Sequence, residues 1–172
     1  MYEQEEYSKF YIVQALFKLM KDYPFDEIGI TDVARKAGVG RATFYRHFRS
    51  KNDVILYYFE HNRKEFVYDQ RFISRCKADY VDLVTIVFEK FRSQKNELKL
   101  IRKARLEYFY LDYLNRNFTA LFDREHPDKT SYAPYLYAGM LFNVSMKWLD
   151  NDCAEDPKTL AKLVVDSIYF AD

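Results

Sequence analysis

The sequence predicts an all-α fold, with a three-helix bundle at the amino terminus followed by a larger carboxy-terminal helical domain. Three observations carry that prediction. Four glycines and four prolines among 172 residues are too few for a turn-rich β architecture. Apolar residues recur at helical spacing along the whole chain, and residues 30–48 read as two short helices joined at a glycine. The boundary is placed at Ser50, giving segments 1–50 and 51–172.

Taken in order, the first helix is expected from Tyr7 to Asp22, with Phe10, Val13, Phe17 and Met20 on one stripe and Ile12, Leu16 and Leu19 beside it. Such a broad apolar face suits a helix buried beneath others. Tyr23 and Pro24 end it, and Phe25, Ile28 and Ile30 staple the chain into the next element. Thr31 reads as the cap of a helix that runs to Ala37 and breaks at Gly38. A second helix follows from Arg41 to about Phe48. Val33, Ala34 and Ala37 give the first of these a small apolar face for a close crossing, and Phe44 and Phe48 anchor the second. Arg41, Thr43, Tyr45, Arg46 and His47 are left facing outward. Polar, aromatic and cationic side chains on one exposed helix are the chemistry that phosphates and base edges require, so this helix-turn-helix is expected to meet double-stranded DNA.

Ser50 and Asp53 match the S-x-x-[DE] capping pattern at the start of a long helix, expected to reach Phe72. It would join the two domains, either as a carrier of motion or as a rigid strut. Asp79 reads as the next cap, ahead of Tyr80, Val84, Val87, Phe88 and Phe91 on one face. Ser93 to Asn96 interrupts that helix. A further helix carrying Leu106, Phe109, Tyr110, Tyr113 and Leu114 is expected to about Phe122, with a polar loop over Asp123–Thr130. Pro134 to Leu149 is apolar on nearly every side and needs packing partners all round. Asp156 and Pro157 are a strong helix start, and Leu160, Leu163, Val164, Ser167 and Ile168 form the stripe that follows. The last two helices are therefore expected to build half of an intermolecular four-helix bundle, although the same surfaces could close the chain's own core.

Charge narrows the partner. The net charge is +1, yet residues 31–51 hold six basic side chains against the single carboxylate of Asp32, so that stretch carries +5 and the remainder −4. One anionic partner surface fits this clustering, and a solvated helical face is the plain alternative. Cys76 and Cys153 have neither disulfide nor zinc spacing. The three histidines, His47, His61 and His126, form no metal or triad pattern, and His61 with Glu65 reads as a solvated pair on one helix face. No phosphate-binding glycine loop, nucleophile elbow or dinucleotide fingerprint occurs, so neither catalysis nor a cofactor is expected. The acidic amino terminus and the absence of a spanning apolar run lead us to expect a soluble cytoplasmic protein with no membrane partner.

Sixteen tyrosines and fifteen phenylalanines lie mostly beyond residue 56. They either fill the helical core or wall a cavity for a small apolar or aromatic effector, for which Phe88, Tyr108, Tyr110, Phe142 and Trp148 are the candidate lining residues.

Residues 8 to about 60 resemble the amino-terminal DNA-binding region of the TetR family of bacterial transcriptional regulators. The resemblance rests on Ile30-Thr31-Asp32-Val33-Ala34, on Ala37-Gly38-Val39-Gly40, and on Thr43-Phe44-Tyr45-Arg46-His47-Phe48 followed by Lys51. It implies that Tyr45, His47 and Lys51 hold the DNA backbone, that Thr31 adds a phosphate contact, and that Arg41, Ala42 and Thr43 face bases. Gly40 departs from the Ser or Thr common at that cap. The resemblance also implies a homodimer through the last two helices, a palindromic operator, and a ligand-released repressor, with the carboxy-terminal domain regulatory. An activator would use the same fold, and a helical co-regulator that no longer reads DNA is the alternative from another class.

Overall fold

The structure, a computed structural model, describes residues 2–63, 76–125 and 131–168. Among these the chain forms α1 (Tyr2–Asp22), α2 (Ile30–Ala37), α3 (Arg41–His47), α4 (Lys51–Arg63), α5 (Lys77–Ser93), α6 (Lys95–Lys103), α7 (Tyr108–Glu125), α8 (Ala133–Asp150) and α9 (Pro157–Ile168). A single 3-10 turn, Phe25–Glu27, precedes α2, and the fold is all-α as the glycine and proline scarcity predicts. The helices divide into two compact units, Met1–Glu65 with Leu100–Phe109, and Phe66–Lys99 with Tyr110–Asp172.

In the first unit α1 packs against α2, α3 and α4, and α2 against α3. Ile12, Val13, Ala15, Leu16, Phe17 and Met20 are all buried, so the apolar stripe of α1 is the centre of this bundle. Each of these side chains larger than Ala15 contributes roughly 1.5–3 kcal/mol by leaving water. Phe10, expected on that stripe, is 49% exposed. It sits about two helical turns before Phe17.

Two caps differ from expectation. Thr31 lies inside α2, whose cap is Gly29, and Asp32 reaches back to accept from the Gly29 N–H at 3.3 Å. The carboxylate comes so close that a Cβ on residue 29 would stand 2.9 Å from Asp32 Oδ2. Likewise Asp79 is not the cap of α5 but sits three residues in, accepting from the N–H of Cys76, which is the cap. In both cases the acidic side chain satisfies the orphan amide from within the first turn. Ser50 and Asp53, by contrast, form the expected reciprocal box, with Asp53 N–H donating to Ser50 Oγ at 3.2 Å and Ser50 N–H to Asp53 Oδ2 at 3.0 Å. The long helix they start is seen as far as Arg63. The part expected to Phe72, with Glu65, lies outside the described residues, as does His126.

The stretch predicted as one interruption followed by one helix is instead two helices. α6 ends at Lys103, and Arg105 takes the left-handed conformation at φ 57° so that Leu106 N–H can donate to Ile101 O at 3.0 Å. Leu106 therefore lies in a Schellman-type ending, buried, rather than in a helix. α7 then runs past Phe122 to Glu125, so Asp123, Arg124 and Glu125, expected in a polar loop, are helical, and the rest of that expected loop up to Thr130 lies outside the described residues.

In the second unit α5 packs along α9, and Lys77 pairs with Asp166 across them at 2.8 Å. Asp156 caps α9 through the Thr159 N–H at 3.0 Å, with Pro157 at its first position, as the sequence predicts. The inward face of α9 is Ala161, Val164 and Val165, whereas Leu163 is 60% exposed and Ser167 is exposed. The expected stripe was thus turned by part of a helical step. Asp152, in the turn after α8, binds the ammonium groups of both Lys95 and Lys99 of α6. Those two contacts hold its carboxyl below the usual carboxylate range.

Candidate nucleic-acid interface

Two glycine-marked turns aim α3. Gly38 ends α2 at φ 70°, a conformation that L residues adopt only with strain, and lets Val39 N–H donate back to Ala34 O at 3.0 Å. Gly40 then caps α3 in extended backbone with no side-chain oxygen to offer. Behind the helix, Phe44 is fully buried and its ring meets that of Phe48 at 5.9 Å. Truncating Phe44 to alanine would cost about 3–5 kcal/mol, which is why the opposite face is held outward so firmly.

That outer face presents Arg41, Ala42, Tyr45 and Arg46, all exposed, with Thr43 half-buried beside them. The Arg41 guanidinium lies over the Tyr45 ring, 5.5 Å from its centre, and its Nη2 faces the Tyr45 hydroxyl at 3.4 Å. Positions 41 and 45 are one helical turn apart, so this stacking pre-orients the arginine along the helix. Thr31 is exposed on the first turn of α2, free of the capping role expected for it. Arg35, in the same helix, is paired with Asp32 at 2.5 Å and adds less free positive charge than its sequence position suggests.

His47 is not fully outward as expected. Its ring is half-buried, and Nε2 is sealed from solvent without a hydrogen-bond partner. Burial first, then the charges of Arg46 and Lys9, lower its pKa below the ordinary 6.5, against the weaker pull of Glu5 and Glu6. A neutral imidazole is the result at physiological pH. Lys51 also departs from a simple outward cation. Its Nζ donates to Phe25 O at 2.5 Å, lies 3.5 Å from Asp26 O, and stands 4.5 Å above the Phe25 ring. Burial lowers the pKa of this ammonium, and the Asp26 charge opposes that effect. Sequence reasoning used Phe25 only as an apolar staple and missed this role, for which no local spacing gives a signal.

The candidate effector residues are gathered in part. Trp148, Phe88, Tyr110 and Phe142 join one aromatic cluster in the second unit, with Phe88 edge-on to Trp148 at 5.4 Å and Tyr110 against Phe142 at 6.2 Å. Phe91 stacks on Trp148 at 6.1 Å and links it to Tyr110 at 5.4 Å, a bridging ring that the sequence placed on the right face without assigning it to the site. Tyr108 belongs to the first unit, is 50% exposed, and its ring pairs with Phe109. Within the cluster, Ser145 Oγ and Trp148 Nε1 are buried without hydrogen-bond partners of ordinary geometry, although Ser145 lies beside the Tyr110 hydroxyl. Burial raises the Tyr110 phenol well above its usual value, so it stays protonated.

Comparison with known proteins places the helix-turn-helix. Residues 12–58 match the model of the bacterial regulatory proteins, tetR family. The uncharacterized HTH-type transcriptional regulator YwcC of Bacillus subtilis (strain 168) is 38% identical over 48 residues, which are 28% of this chain and 22% of that protein's length. The same fold is found in Lin0861 from Listeria innocua, at TM-score 0.81 and 18% identity over 96% of this chain and 91% of that one. It is found too in the fatty acid degradation regulator FadR from Bacillus halodurans, at TM-score 0.60 and 20% identity over 92% of each chain. No helix among the described residues is long and apolar enough to cross a membrane. α2, Gly38 and α3 all lie inside the matched segment, so residues 12–58 are similar to the helix-turn-helix region of the bacterial regulatory proteins, tetR family.

Proposed function

We propose that this chain is a sequence-specific, DNA-binding transcriptional regulator that acts as a homodimeric repressor. The observation that carries the reading is the outer face of α3, where Arg41, Ala42, Tyr45 and Arg46 are exposed on a helix pinned from behind by Phe44. Arg41, Ala42 and Thr43, at the helix start, are placed to read base edges, and Thr31, Tyr45 and Arg46 to bind phosphates. His47 flanks that face as a neutral group. The ammonium of Lys51 is already spent on Phe25, which suggests a different task for it.

Dimerisation is assigned to α8 and α9, where Leu136 is 71% and Leu163 60% exposed. Two recognition helices related by a twofold axis then read half-sites about 34 Å apart, which makes the operator a palindrome. A small apolar or aromatic effector would act at the cluster of Phe88, Tyr110, Phe142 and Trp148, where the buried Trp148 Nε1 offers it a hydrogen bond. Such a ligand needs only a few kcal/mol of preference for the non-binding state to shift operator occupancy by orders of magnitude.

Selection from a random duplex pool at near-physiological salt tests the reading. A single enriched palindrome is expected. Flat enrichment would leave a helical co-regulator that does not read DNA.

A further inference from the structure

We propose that Lys51 is a positioning residue, clamping the 3-10 turn at Phe25 to the start of α4 and so setting the recognition helix between them, instead of serving as a phosphate ligand. The inference rests on the DNA-binding reading above for its functional consequence, and on the geometry of the bundle for the clamp itself.

The recognition helix is bracketed in the chain by two short segments. Before it, the turn Phe25–Glu27 delivers buried Ile28 and the Gly29 cap of α2. After it, Phe48 leads within three residues to Lys51, the first residue of α4. Twenty-six positions apart in sequence, Lys51 and Phe25 meet through one ammonium. The Ile28 N–H also donates to Phe25 O, at 3.3 Å, so that carbonyl serves both the turn and the clamp. A carbonyl oxygen carries two lone pairs, so Phe25 O can accept from the turn and from the ammonium together. The ring beneath Nζ adds a cation–π contact to the same anchor.

An ammonium has three N–H groups. One is committed to Phe25 O, a second faces Asp26 O at the limit of hydrogen-bond range, and the ring occupies the space beneath. Reaching for a phosphate would surrender a partly desolvated arrangement that holds both flanks of α2 and α3. Arg41 and Arg46, by comparison, are exposed and offer charge without that loss.

The test is a double-mutant cycle on Lys51→Met and Phe25→Leu in the full chain, read by thermal unfolding and by affinity for the selected duplex across a salt series. Under the clamp the two unfolding losses are non-additive, because Phe25→Leu removes the ring beneath Nζ, one of the contacts that Lys51→Met also removes, while the Phe25 carbonyl stays. Lys51→Met weakens the duplex by about tenfold and Phe25→Leu by less, the double variant is hardly worse than Lys51→Met, and the slope of log affinity against log salt is unchanged. Lys51→Gln, which keeps a donor without the charge, restores most of the affinity at the same slope. The proposal is overturned if Lys51→Met and Lys51→Gln both reduce the slope by about 0.9, the loss of one phosphate contact, while Phe25→Leu leaves affinity intact. Additive unfolding losses overturn the clamp too. Were selection to yield no duplex, the unfolding cycle would still decide the clamp, so the failure of the DNA-binding reading and the failure of the clamp are separate results.

Discussion

The Tyr57 hydroxyl on α4 donates to Glu6 Oε2 on α1 at 2.9 Å. His61 Nδ1 faces the same hydroxyl at 3.1 Å, and because the phenolic proton is directed to Glu6, His61 must supply the proton of that second bond. α4 is thereby tied to the helix at the centre of the bundle. Phe48 packs edge-on to the Tyr57 ring at 5.4 Å, so Tyr57→Phe removes the hydroxyl and keeps the packing. The substitution should lower stability by about 1 kcal/mol, seen as a lower urea midpoint at unchanged m-value. An unshifted midpoint would show that the bond adds nothing net.

His47 makes stability depend on pH in a known direction. Its folded pKa is depressed below 6.5 by burial, so the folded state favours the neutral ring. The contribution is complete above the unfolded value and is lost as the pH falls through the folded one. Wild-type melting temperature should therefore rise between about pH 5 and 7 more steeply than that of His47→Gln, which has no proton to shed in that range. Parallel profiles would mean the ring is hydrated in solution.

Gly40 caps α3 at φ −71° and ψ 151°, backbone that any L residue adopts, and a Cβ there would meet nothing nearer than Thr43 Oγ1 at 4.0 Å. Gly40→Ser adds the missing side-chain acceptor and restricts the unfolded chain. Stability should increase by about 0.5–1 kcal/mol, measured by denaturant or heat. A loss would indicate that the serine bonds elsewhere than the first turn of α3.

Arg41 and Tyr45 are stacked, yet their replacements should behave differently on DNA. Arg41→Ala should relax preference at one base position, with about 1–3 kcal/mol of discrimination lost there. Tyr45→Phe keeps the ring and should weaken all duplexes to a similar degree. The readout is a panel of single-base operator variants, on which an equal loss from Arg41→Ala would remove its base-reading role.

What was legible in the sequence had local causes. Ser50 with Asp53, Asp156 with Pro157, and Gly38 mark their helix ends because each acts within one turn of its own chain, and the periodicity of α1 announces a buried face for the same reason. Where the cause was not local, the reading went astray. α6 ends at Lys103, followed by a left-handed Arg105 and a buried Leu106 with no glycine between them, so the break between α6 and α7 carries no sequence mark. α8 stops in the same way, with Asp152 and Cys153 at positive φ and Cys153 buried beneath. Asp79 reads as the cap in place of Cys76 because an acidic residue at the third position and one at the cap present nearly the same pattern, and Thr31 reads as the cap in place of Gly29 because a threonine in the first turn is itself a favoured capping residue.

By itself, then, the sequence determined that the chain is all-α and that residues 30–48 form a helix-turn-helix with Arg41, Tyr45 and Arg46 on its outer face. Spacing within a helix decides which side chains share a side, and no other part of the chain is needed for that. Only the tertiary structure decided that the Lys51 ammonium goes to Phe25, that His47 Nε2 is sealed inside, and that Phe91 bridges Trp148 and Tyr110. Those relations join residues far apart in the chain or depend on how completely neighbouring helices exclude water, and both are properties of packing.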